Sequence, residues 1–184
     1  MLHMDPIEER IICLQTRNFE SSSFVPTSEL EQLLTEEVVR TTVHQSAIDV
    51  SKQEETVRIV VSGARAIFAI LVLQSKLHFI RNFIEQDQYQ NGQLDAKLPF
   101  SELALQNLLG KAAGRLFWDR QWMFIAPIFR HDLSHRILKN AVVLPFIQSS
   151  YIGEGAFGVV SEVILHPQHQ GFEEAKSEVC SRLS

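Results

Sequence analysis

The chain has 184 residues, room for one domain or for one domain joined to part of another. Hydrophobic residues make up 45% of it, which supplies a core and excludes general disorder. A net charge of −5 argues against nucleic acid and anionic membrane surfaces as partners, because both attract basic patches.

In chain order, Asp5, Glu8 and Glu9 stand where a signal peptide would need its apolar core. A short helix is expected over 7–17, followed by a loop at Ser21–Ser23. Ser28 and Glu31 have the spacing of a capping box, and Leu30, Leu33, Leu34 and Val38 continue at helical intervals. One helix over about 28–44 is predicted from them. Glu36, Glu37, Glu54 and Glu55 read as solvated helix faces.

The longest helical pattern runs from about Glu54 to Gln86. Val57, Val60, Ala64, Ile67, Phe68 and Leu71 share one face, and Leu77, Ile80, Phe83 and Ile84 extend it. Its middle is apolar on nearly all sides, as expected of a central helix, and Gly63 offers a close approach to a neighbour. The apolar run Ala66–Leu73, flanked by Arg65 and Lys76, falls far short of the roughly 20 residues that span a bilayer. Asn91-Gly92 marks a turn in a polar loop over 87–97.

Ser101 can cap a helix carrying Leu103, Leu105, Leu108 and Leu109, which Gly110 ends. A further helix over about 111–124 carries Phe117, Trp118 and Trp122 and stops ahead of Pro127. The aromatic stretch Phe117–Phe129 reads either as core of this helical region or as a joint against the C-terminal segment. In the second case part of it is exposed and adhesive, a route to self-association. His131/His135 and His166/His169 have spacings that could serve a metal, but no cysteine lies near. Surface histidines are the expectation. Cys13 and Cys180 are far apart and lack metal spacing, which suits free thiols in a reducing, intracellular and cytoplasmic setting.

The most informative segment is Ile152–Val160, which contains Gly153, Gly155 and Gly158 in the order G-x-G-x-x-G-x-V. Glycine at these places lets a backbone come close to phosphate groups without side chains in the way. A dinucleotide loop shares the spacing but must open a helix after the glycines. Here Val159, Val160, Val163, Ile164 and Leu165 come next, ending at His166-Pro167, and they read as a strand. The residues before the loop also read as extended. A glycine-rich hairpin without a ligand is the third alternative.

Strand, glycine loop and strand resemble the phosphate-covering loop of protein kinases. Phe117, Gln121, Trp122, Phe124, Ala126, Pro127 and Phe129, then Leu144-Pro145-Phe146 and His166-Pro-x-His169, resemble the stretch around the start of the kinase domain in a family of fungal serine/threonine protein kinase-like proteins. The likeness covers most of 95–170. It implies that Gly153, Glu154, Gly155, Ala156, Phe157 and Gly158 cover the phosphates of ATP, that Ile152 and Val160 flank the adenine, and that Mg2+ and a protein substrate belong to the full-length relatives. Lys176 lies in a polar, helix-favouring context unlike that of the phosphate lysine, and no His-Arg-Asp or Asp-Phe-Gly motif occurs.

The expectation is therefore a mainly α protein with a hairpin. An N-terminal segment (1–27), a helical domain (28–126) and a linker (127–144) lead into the start of a kinase-like domain (145–184), truncated after the glycine loop and inactive alone. The alternative function is a helical protein–protein interaction module without catalysis.

Overall fold

The computed structural model describes residues 6–86, 92–130, 138–155 and 158–171. Its described residues are mainly helical, with a long antiparallel hairpin near the end, as expected. The helices are α1 (Pro6–Cys13), α2 (Thr27–Leu33), α3 (Glu36–His44), α4 (Val50–Gly63), α5 (Arg65–Val72), α6 (Ile80–Gln86), α7 (Glu102–Leu109) and α8 (Lys111–Gln121). Two short strands, β1 (Thr16–Arg17) and β2 (Ser23–Phe24), pair between α1 and α2. After α8 come β3 (Phe129–Arg130), the hairpin strands β4 (Phe146–Gly155) and β5 (Gly158–Leu165), and β6 (Gln170–Gly171), which pairs parallel with β3.

The core is built around α5. Every residue from Ala66 to Val72 is buried, and the helix touches α1, α2, α4, α6 and α8. Burial of Ile67, Phe68, Ile70 and Leu71 stabilises the fold by about 1.5–3 kcal/mol each. Ile7 and Ile11 of α1 and Val25 join the same core, so the helical body begins before residue 28.

The two long helices expected from the sequence are divided, each for a local reason. The segment predicted as one helix over about 28–44 breaks at Leu34, and α3 restarts with Thr35 Oγ1 accepting from Val38 N–H at 3.4 Å. Ser28 does not form the expected capping box: α2 starts after Pro26 without a side-chain cap, and Ser28 Oγ donates to Gln168 Oε1 instead. The segment predicted over 54–86 divides at Ala64 and again after α5. Residues 92–97 cause the first division. Gln93 Nε2 donates to Ser62 O (2.8 Å) at the end of α4, and Asp95 accepts from Ala66 N–H (2.9 Å) and Ile67 N–H (3.0 Å) at the start of α5. One loop thus supplies a cap to each side of the break. Gly63 does permit a close approach, but to this loop: a Cβ there would lie 2.9 Å from Gln93 side-chain atoms and from Gly92 O.

Ser101 caps α7 as expected, accepting from Ala104 N–H at 3.2 Å, and Gly110 ends the helix at φ +83°. α7 and α8 then fold back on each other. Gly114 makes this possible, since a Cβ there would sit 2.6 Å from backbone atoms of Leu105 and Gln106. Among the acidic residues read as solvated, Glu36 and Glu54 pair with Arg40, and Glu55 meets Arg81 at 2.9 Å.

Candidate functional site

The hairpin leaves the body from a stem that several elements hold. Asn18, buried at the β1–β2 turn, accepts from Ser22 N–H (2.8 Å) through Oδ1 and donates from Nδ2 to Leu144 O (3.1 Å). Phe19 N–H donates to Phe146 O at 2.9 Å, and the Phe129 and Phe146 rings lie 5.6 Å apart. Phe117 and Phe124 are core residues, and Gln121 is fully buried. Its amide makes two bonds to Phe100, accepting from its N–H (2.9 Å) and donating to its C=O (3.0 Å). Within Phe117–Phe129, therefore, Phe117, Trp118, Gln121, Met123 and Phe124 serve the helical core and Phe129 meets the hairpin stem.

Beyond the stem the hairpin is open to solvent on both faces. The register runs Tyr151↔Ser161, Gly153↔Val160, Glu154↔Val159 and Gly155↔Gly158. The irregularity between Tyr151 and Gly153 is a bulge, so Ile152 and Gly153 together stand opposite Val160. The two apolar residues expected to flank a base are thereby brought to one rung, and both are exposed, at 65% and 57%. The residues after Gly158 form a strand, whereas a dinucleotide loop requires a helix there.

Among the described residues, Gly153 and Gly155 have no atom within 4 Å of the place a Cβ would occupy, and Gly158 has none either while holding φ +149°. Packing among the described residues does not demand glycine at 153 and 155. Backbone lying open in this way leaves room for a close approach to Gly153, Gly155 and Gly158, with Ile152 and Val160 exposed beside them. Glu154 lies among them and is exposed. Ala156, Phe157, Lys176, Cys180 and the His131/His135 pair lie outside the described residues. Among the described residues no group of three or more His, Cys, Asp or Glu could hold a metal ion, and no helix is long and apolar enough to cross a membrane.

His169 departs from the expectation of surface histidines, whereas His166 is half-buried. His169 is 1% exposed, with its ring edge-on to Phe24 at 5.1 Å. No local pattern signals this burial, because Phe24 and Pro127, the residues that enclose it, are remote in the chain. Asp95 is a second group without a local signature. Burial pushes its carboxyl up to about 6, against the opposing pull of the Ala66 and Ile67 N–H groups and the Arg65 charge. Its position at a helix start makes it a structural cap.

No family model, no curated protein and no solved structure matches the chain.

Proposed function

We propose that the β4–β5 hairpin is the nucleotide-phosphate cover of a protein kinase-like N-lobe, carried on a helical body. What supports this is the conjunction at its tip: glycines whose open side faces no atom of the described residues, next to Ile152 and Val160 opposed on one rung. Catalysis of phosphoryl transfer needs charged groups that position the phosphates and the metal, and this sequence carries neither a catalytic-loop nor an Asp-Phe-Gly motif. These residues are thus given nucleotide contact, with Mg2+ arriving on ATP, in the ATP-rich cytoplasm.

A hairpin offers one wall of a pocket, so affinity is weak, on the order of millimolar, or roughly −4 kcal/mol. Calorimetric titration with MgATP, ADP and adenosine tests the reading. Phosphate-dependent affinity, strongest for MgATP, supports it. Equal affinity for adenosine, or no binding at several times the expected dissociation constant, overturns it.

A second reading, a non-catalytic interaction module, rests on a groove of about 400 Å3 where the α7–α8 turn meets Gln74 and Phe79. Leu116 lines it and is half exposed. In this reading the groove mediates self-association. Sedimentation of the wild type and of Leu116→Lys decides the matter: a dimer that the substitution dissociates favours it, and a monomer at all concentrations removes it.

A further inference from the structure

The segment leaving β5 is fastened to the helical body by one short turn, Pro167–His169, and by the β3–β6 pairing just after it. His169 fills the centre of this joint. Its Nδ1 lies 3.1 Å from Pro127 O, which fixes the proton on Nδ1, and its Nε2 is buried without a hydrogen-bond partner among the described residues. Phe24 from β2 presents its ring to both histidines, at 5.5 Å from His166 and 5.1 Å from His169. The joint is otherwise polar and weak: Gln168 bonds Ser28 and Glu29 at the surface.

We propose that the His166–His169 turn is a protonation-sensitive clasp, holding the segment that leaves β5 on the helical body while His169 is neutral and releasing that segment when His169 is charged. Protonation would place an N–H donor on Nε2, where it finds no acceptor among the described residues, and a charge at a buried site. The charged groups facing the joint offer little relief. From α2, Glu29 attracts the charge, but its carboxylate is engaged by Gln168 Nε2 at 2.9 Å. His166 on the same turn opposes it. β2 contributes only the Phe24 ring.

Burial holds the His169 imidazole below the ordinary value of 6.5, which agrees with this geometry. The closed joint therefore binds the proton less well than the open one, and closure is fully stabilised above pH 6.5. It weakens as pH falls below that value, and levels off once the closed form is itself protonated.

The test is amide hydrogen exchange of the whole chain between pH 7.5 and 5, corrected for intrinsic rates, together with an NMR titration of the histidine rings. The His166 amide, bonded to Pro145 O, and the His169 amide, bonded to His166 O, report the joint. Protection there should fall by roughly fivefold or more at the acid end while the α5 amides stay protected. His169→Asn keeps a donor for Pro127 O and cannot titrate, so its protection should be flat with pH; His166→Asn should still show the loss. Flat protection in the wild type, or the same acid loss in His169→Asn, overturns the proposal. Where His169→Asn fails to fold, the wild type decides: coincident midpoints for the His169 ring and for exchange support the clasp, and separate midpoints overturn it.

Discussion

Asp95 offers the sharpest test of how the helical body is held together. Its carboxylate closes the start of α5 by accepting from Ala66 and Ile67 N–H, and the same burial raises its pKa from 3.8 to about 6. Between those values the folded protein binds a proton more tightly than the unfolded chain, so this group's contribution to stability declines as pH rises through the window. The separation, 6 − 3.8 = 2.2 pH units at 1.36 kcal/mol each, amounts to about 3 kcal/mol. Residual contact of Asp95 with water makes that an upper value. Asp95→Asn retains one acceptor and removes the titration. In urea unfolding at pH 4, 5.5 and 7.5, the wild type should therefore lose up to about 3 kcal/mol relative to Asp95→Asn across the range. The difference cancels the other titrating groups, since the substitution leaves them unchanged. A difference constant within about 0.5 kcal/mol would refute the reasoning, and would mean that the α5 N-terminus fully compensates the buried charge.

Gly114→Ala should destabilise by about 1–3 kcal/mol, measured by urea unfolding, because its Cβ meets Leu105 and Gln106 backbone that no rotamer change can move. Gln121→Leu should cost about 2–3 kcal/mol in the same assay, by leaving the Phe100 N–H and C=O without partners. Gly153→Ala and Gly155→Ala should leave stability within about 0.5 kcal/mol, since no atom of the described residues lies within 4 Å of the new methyl group; under the proposed function they weaken MgATP binding measured by calorimetry.

Elements whose signals are local were legible in the sequence. Ser101 and Gly110 bound α7 as expected because cap and break act within one turn. The hairpin was legible because β-branched residues flank glycines and stop at a proline. Elements set by remote partners were not. The break at Ala64 depends on Gln93 and Asp95, about thirty residues on, and a periodicity argument sees only one apolar stripe there. Ser28 carries a capping pattern yet turns to Gln168, on the far side of the hairpin. The burial of His169 depends on Phe24 and Pro127 in the same way. Of the candidate site, the glycine spacing was legible. The bulge that sets Ile152 and Gly153 together against Val160 was not, because register irregularities leave no compositional trace.

The central claim is that nucleotide phosphates meet the hairpin glycines. The most direct measurement is a 1H–15N NMR titration of the whole chain with MgATP, following every assigned backbone amide. The account predicts shifts concentrated at residues 152–160, saturating in the millimolar range and largely absent with adenosine. Shifts that spare those amides and gather on the helical body, or no saturable shifts, would contradict it.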